Sequence, residues 1–210
     1  MNDYIGFYWT LPVFWAEHRS LPKDVDQAAR MSKTIGYQRE YARQWVKEEK
    51  GRLIEERVFM EMAPDRGTKY IVPEVENALE RCRETCARLL VVDMAASYGW
   101  RSHKYLEIVL RRNERLCQRL YPHEIMIRGQ TFDPVEHFRM WREAQEAFIN
   151  SKEERLARAR EAASALSPHY PNFASLAEAL NAEGHRSATG KLWTKDTLRK
   201  MLSESEEPKL

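Results

Sequence analysis

The chain is poor in cysteine, with three in 210 residues. Cys82, Cys86 and Cys117 form no disulfide framework, so a reducing cytoplasm is the expected compartment. A long apolar run is missing as well. No stretch approaches the roughly 18 residues that a membrane span needs, and no membrane partner is expected. The opening residues, MNDYIGFYWTLPVFW, lack a basic segment ahead of an apolar one, which argues against a secretory signal. There is no glycine-rich phosphate loop of the P-loop or dinucleotide type, and no cofactor is expected. Nor is there a large excess of one charge. Lys and Arg number 34 against 32 Asp and Glu, a net charge of +2, so any basic surface must be local. Together these absences exclude disulfide-stapled secreted domains, membrane spans and P-loop or dinucleotide enzymes.

What is present suits a globular protein. The 43% hydrophobic content suffices for a packed core, and 31% charge with a mean hydropathy of −0.68 predicts solubility. Residues 4–9, aromatic and short, read as a first strand. Residues 11–33 read as an irregular insertion with a short helix at 24–31. Residues 34–50 predict a helix, with Ile35, Gln38, Ala42, Trp45 and Val46 on one face and Gly51 as its stop. Residues 52–62 read as a second strand and 63–72 as a loop. Pro73 suits a helix start, with Val75, Ala78, Leu79, Cys82 and Cys86 forming a stripe. The run 89–94 looks like a strand buried on both faces. A helix is predicted over 103–120, with Leu106, Val109, Leu110 and Cys117 inward, and a fourth strand over 124–128. This alternation predicts an α/β fold with a small, mainly parallel four-stranded sheet and flanking helices.

The expected organisation is an α/β domain over 1–132, a long helix over 133–168, a small helical module over 169–202 and a disordered acidic tail over 203–210. Asp133 caps the long helix, which begins at Pro134 and runs to about Leu166. Its later half carries a narrow stripe: Ile149, Leu156 and Ala163 are spaced by seven, Ala159 and Leu166 likewise, and Glu154 can pair with Arg158. Such a stripe calls for a partner helix, most simply from a second copy, so a homodimer through 134–166 is expected. The alternative is a solitary amphipathic linker.

Residues 173–202 are the most informative stretch. Phe173, Leu176, Ala177 and Leu180 follow a helical period that ends at Gly184. A basic segment follows, and a second helix opens at Thr194, a good N-cap. Leu198, Met201 and Leu202 share one face, leaving Lys195, Thr197, Arg199 and Lys200 for the others. The layout reads as a helix-turn-helix, with double-stranded DNA as partner. Arg186, Lys191, Trp193, Thr194, Lys195, Thr197, Arg199 and Lys200 are the candidate contacts, the cations because phosphate neutralisation supplies most sequence-independent affinity. A helical hairpin with a solvated basic face is the plainer alternative.

This order of parts resembles a serine recombinase of the resolvase/invertase family. The likeness rests on Leu180-Asn181-Ala182-Glu183-Gly184 followed by Gly190-Lys191-Leu192-Trp193-Thr194, on Thr34 to Arg39 as a first-helix entry, and on Leu89-Leu90-Val91-Val92 as the strand leading to a catalytic cluster. The resemblance implies a resolvase-like domain, a long dimerisation helix and a C-terminal DNA-binding module. The catalytic motifs are degraded. Where the family has Tyr-x-Arg-x-Ser, this chain has Tyr8-Trp9-Thr10-Leu11-Pro12. Where the family has Asp-Arg-x-x-Arg, it has Ala96-Ser97-Tyr98-Gly99-Trp100, with Arg101 one step displaced. The family's serine attacks a phosphodiester while arginines stabilise the added charge. Their loss implies DNA binding in or around recombination, with strand exchange lost. One alternative is an active recombinase with a displaced nucleophile, Ser32, beside Arg30 and served by Arg101. Another is a metal-dependent phosphodiesterase built from Glu61, Asp65, Asp93 and Arg101 at the carboxyl edge of the sheet, although no metal-ligand spacing supports it. Cys82 and Cys86 fall on an apolar stripe and read as core rather than zinc ligands. His103, His123 and His137 are scattered.

Overall fold

A computed structural model describes residues 2–13, 18, 20–62, 67–94 and 102–203. They form two compact units, the first running to Arg139 and the second beginning at Met140.

The first unit is built on a sheet. Strands β1 (Asp3–Thr10), β2 (Arg52–Met60), β3 (Arg88–Val92) and β4 (Cys117–Leu120) lie in the order β2-β1-β3-β4, and every pairing is parallel. Helices α1 (Val25–Met31), α2 (Lys33–Glu48), α3 (Ile71–Thr85) and α4 (Lys104–Arg112) connect the strands. The result is the expected α/β architecture, consistent with a resolvase-like domain.

Side-chain alternation along the central strands explains the layers. Ile5, Phe7 and Trp9 of β1 join Leu89 and Val91 of β3 on one face, where α3 and α4 supply Ile71, Val75, Leu79, Leu106 and Leu110. Tyr4 and Tyr8 join Leu90 and Val92 on the other, covered by Ile35, Tyr37, Ala42 and Val46 of α2. Both strands are therefore apolar on both sides, as a central parallel strand must be. Gly6 is required by its neighbour, because a Cβ there would fall 2.3 Å from the Tyr8 hydroxyl.

Two expectations in this unit are corrected. The helix predicted over 103–120 ends at Arg112, and a 3₁₀ turn (Glu114–Leu116) leads into β4. Asn113 terminates the helix, its Nδ2 donating to the Val109 carbonyl at 2.9 Å. Residues 124–128 do not supply the fourth sheet strand. They contribute β5 (Ile125–Ile127), which pairs antiparallel with β6 (Gln130–Phe132) as a separate hairpin. Arg128 (φ 50°) and Gly129 (φ 80°) make its tight turn, both in the left-handed region that a two-residue hairpin loop demands.

The predicted continuous helix over 134–166 is also corrected. It is two helices, α5 (Pro134–Asn150) and α6 (Lys152–Leu166). In an unbroken helix the Phe148 carbonyl would accept the N–H of Lys152. Here the Ser151 hydroxyl donates to it at 3.2 Å, the Arg155 guanidinium donates to it too, and that guanidinium stacks 3.6 Å over the Phe148 ring. A side chain inserted into the backbone ladder is a standard cause of a helix break.

The second unit gathers α6 with α7 (Phe173–Ala182) and α8 (Lys195–Ser203). Its core is Ala159 and Ala163 of α6, Leu176, Ala177 and Leu180 of α7, Leu198 and Met201 of α8, and Trp193, with Leu156 and Leu166 packed against them. The stripe on α6 that was expected to meet a second copy is thus filled by the chain's own helices.

Candidate functional site

Two places were marked by the sequence, the carboxyl edge of the sheet and the α7–α8 pair, and each belongs to one unit.

At the sheet edge, the order β2-β1-β3-β4 makes the ends of β1 and β3 a switch point, where open α/β sheets bind ligands. The β1–β3 ladder stops at Phe7 opposite Val91. Beyond it the peptide groups of Trp9 are taken by Gln38 of α2. Gln38 Nε2 donates to the Trp9 carbonyl at 2.7 Å, and Gln38 Oε1 accepts the Trp9 N–H at 3.3 Å. A fully buried carboxamide thus stands in for a missing strand residue.

Glu61, just past β2, is buried as well. It accepts from the Thr68 hydroxyl at 2.6 Å, from the Thr68 N–H at 2.9 Å and from the Met62 N–H at 2.6 Å. His103 Nδ1 accepts the Leu106 N–H at 3.3 Å as the cap of α4, which leaves the ring proton on Nε2, directed at Glu61 Oε2. Burial by itself would raise the Glu61 carboxyl, but the bonds from Thr68, His103 and Met62 outweigh it and hold the group below its ordinary value. The His103 and Glu61 side chains are 1% and 0% exposed, so this pair ties the segment after β2 to the start of α4 and presents nothing to a substrate. Asp93, past β3, pairs with Arg119 at 3.2 Å, and Arg119 pairs with Glu107 at 2.8 Å. The space between this edge and α4 is about 20 Å³, room for about one water.

Glu61 and Asp93 are therefore held by separate partners. Among the described residues no three His, Cys, Asp or Glu side chains converge as a metal site would require. Asp65, Ser97 and Arg101 lie outside the described residues. Cys82 and Cys117 are buried, and burial pushes both thiols up to about 11, as expected of inert core cysteines. Cys86, read from the sequence as core, is corrected, because it is the left-handed cap that ends α3 and is exposed. His123 contributes its backbone, accepting from and donating to the Tyr37 hydroxyl at 2.8 and 3.1 Å. His137 meets Thr34 Oγ1 at 3.3 Å and lies against the rings of Phe132 and Phe138.

Ser32, the displaced-nucleophile candidate, is 5% exposed, and its hydroxyl accepts the Ile35 N–H at 3.3 Å as the N-cap of α2. Arg30, in the last turn of α1, is exposed, and no hydrogen bond joins it to Ser32 among the described residues.

The α7–α8 pair is organised by backbone geometry. α7 ends in a Schellman motif. Gly184 takes φ 86°, His185 N–H returns to the Leu180 carbonyl at 2.9 Å and Gly184 N–H to that of Asn181 at 3.2 Å. Asn181 reaches across to the approach to α8. Its Nδ2 donates to the Trp193 carbonyl at 2.9 Å, and its Oδ1 accepts the Trp193 N–H at 2.7 Å. A turn at 187–191 closes with Ser187 N–H on the Lys191 carbonyl at 2.9 Å, Gly190 at φ 77°. Thr194 and Thr197 cap α8 reciprocally: Thr194 N–H donates to Thr197 Oγ1 at 2.9 Å and Thr197 N–H to Thr194 Oγ1 at 3.3 Å.

The candidate contacts therefore divide. Trp193 is 5% exposed and belongs to the core; with Leu198 it forms a staple across the start of α8, which corrects its reading as a contact residue. Arg186 donates to the Asn181 carbonyl at 3.0 Å, serving the end of α7. Thr194 and Thr197 are exposed but spend their hydroxyls on capping. Lys191, Lys195, Arg199 and Lys200 are exposed, while Leu198 and Met201 point into the core. The connection from α7 to α8, residues 183–194, is longer than the roughly 3–4-residue turn of a minimal helix-turn-helix.

No protein-family model, curated protein or solved structure matches the chain. No helix among the described residues is long and apolar enough to cross a membrane.

Proposed function

We propose that this chain binds double-stranded DNA through the α7–α8 pair, and that its resolvase-like α/β domain acts in or around recombination without performing strand exchange. The observation that carries the reading is the division of α8. Leu198 and Met201 fill the core, which leaves Lys195, Arg199 and Lys200 exposed on a capped, braced helix. A helix docking in a groove needs such a split: an apolar face that fixes it and a cationic face that meets phosphates and base edges. Lys191 adds an exposed cation on the turn before it.

The absence of catalysis is supported at β1, which ends Trp9-Thr10 with neither arginine nor serine, and by Ser32, whose hydroxyl is buried in a helix cap. The reading requires no dimer. The α6 part of the stripe is spent within the chain, and Met140 and Ile149 of α5 are the exposed large apolar groups left over 134–166.

Fluorescence anisotropy on a labelled duplex tests the proposal. The double variant Lys195→Ala/Arg199→Ala should weaken binding and flatten the dependence of log K on log salt by about two charges. Unchanged affinity and slope would refute it. Incubation with supercoiled DNA should leave no covalent protein–DNA adduct; an adduct lost in Ser32→Ala would restore the catalytic alternative.

A further inference from the structure

The α/β unit carries a second concentration of positive charge, at the opposite edge of the sheet from the switch point. Arg83 in the last turn of α3, Arg111 and Arg112 in the last turn of α4, and Arg115 in the 3₁₀ turn beyond it line one open cleft of about 390 Å³ with Asn113, Glu114 and Leu116. Four arginines and one carboxylate, Glu114, line it, with Glu107 paired to Arg111 beside it, in a chain whose net charge is only +2. Arg83 donates to Asn113 Oδ1 at 2.8 Å, and Arg111 pairs with Glu107 at 2.6 Å. Arg112 and Arg115 are exposed and have neither ion pair nor hydrogen bond among the described residues.

Cations in the last turn of a helix complement its dipole. That accounts for Arg83, Arg111 and Arg112, but not for Arg115, which lies beyond the helix, nor for the gathering of all four on one cleft. Guanidinium groups suit phosphate, which they can hold by paired N–H···O bonds. The cleft is open, and Leu116 is its one apolar wall, with no aromatic side chain to stack a base. A free phosphate or nucleotide would find charge here but little enclosure. A polymer with phosphates in series gains from each counterion it releases.

We propose that the Arg83–Arg111–Arg112–Arg115 cleft is a second phosphodiester-binding surface, on which the α/β unit grips the backbone of duplex nucleic acid without reading its sequence. This deepens the DNA-binding reading and rests on it for the choice of nucleic acid over other phosphate polymers. It gives the sheet domain a task that does not depend on the missing serine.

The test uses the full chain and labelled duplexes of unrelated sequence, titrated over a range of KCl. Arg112→Glu/Arg115→Glu should lose about tenfold in affinity on every duplex and lower the salt slope by about two. Lys23→Glu/Lys47→Glu, which changes the net charge equally at exposed positions elsewhere, should bind nearly as wild type. Equal losses in the two variants would reduce the effect to net charge and overturn the proposal. Wild-type binding by the cleft variant, while Lys195→Ala/Arg199→Ala is impaired, would remove the cleft and leave the α8 reading intact. The reverse pattern would keep the cleft and remove the α8 reading. A cleft variant that binds DNA normally but loses adhesion to phosphatidylserine vesicles would assign the surface to a membrane and overturn the proposal.

Discussion

Asn181 is hydrogen-bonded to Trp193 through both halves of its carboxamide, taking the backbone N–H and C=O as a neighbouring strand would. The bond pair joins the last turn of α7 to the residue two before α8. It positions the helix that bears the cationic face, so it links the packing of the unit to its proposed use.

Asn181→Ala leaves a half-buried backbone donor and acceptor unmet, and should destabilise the second unit by about 1–3 kcal/mol. Asn181→Asp keeps the acceptor and loses the donor, so it should fall between wild type and alanine. Urea denaturation checks the order. Duplex affinity should fall along the same series even where the unit remains folded, because α8 loses its anchor.

Gln38 does the same for Trp9, deeper in the protein. Gln38→Leu fills similar volume but strands both peptide groups, and a loss of about 1–3 kcal/mol is expected. Gln38→Glu keeps one acceptor and adds a buried charge, so it should be no better. Chemical denaturation of the full chain measures both.

Two helices end on residues that pay for a left-handed backbone. Lys50 (φ 52°) closes α2, with Gly51 N–H on the Val46 carbonyl at 2.9 Å, and Cys86 (φ 55°) closes α3, with Ala87 N–H on the Cys82 carbonyl at 2.9 Å. Gly51, read from the sequence as the stop of α2, lies one position past the residue that makes the turn. Lys50→Gly and Cys86→Gly should each stabilise by about 0.5–1 kcal/mol, the left-handed penalty exceeding the added chain entropy. Thermal melts should show an upward shift for each, and additivity for the pair.

Acid should weaken the fold. Burial, aided by Lys33, holds His137 below its ordinary value of 6.5, and hydrogen bonds hold Glu61 below 4.5 despite its burial. A depressed folded value means the unfolded chain binds the proton more tightly. Each group's contribution is full above its ordinary value and is lost as pH falls through the folded one. Denaturation midpoints should therefore decline first below about pH 6.5 and again below about pH 4.5. His137→Phe should shrink the first phase, leaving the part due to His18, which burial also holds low, and spare the second.

Much of the sheet was legible because β1 and β3 are apolar on both faces and short. The helix–strand boundary before β4 was not. Cys117 lies eleven residues after Leu106, a separation that suits a helical stripe as well as a strand partner of Leu89. The available signal was Asn113, a helix terminator. On the long helix, the α6 part of the apolar stripe is covered while Ile149 is exposed, and a sequence does not say whose side chains provide the cover. The break at Ser151 depends on Arg155 reaching Phe148, seven residues back, and serine alone is tolerated within helices. Trp193 was read among basic neighbours, although an apolar residue two before a helix is a staple position. The exposed face of α8 followed from spacing alone. The Glu61–His103 pair joins residues 42 apart, and only the fold brings them together.

The longer of the two outer strands, β2, gives the sheet one more property. Among the described residues its nine positions have a strand, β1, on one side alone, so the other margin is a long template on which another chain could build. Charged groups stand along it: Arg52 is bound to Asp3, Glu55 to Arg57 and Arg81, and Glu56 to Arg39 and Arg43. An incoming strand would bring its own side chains against these salt links, and charge along an edge strand disfavours such pairing, so the longer open margin of the sheet is guarded against fibre-like stacking.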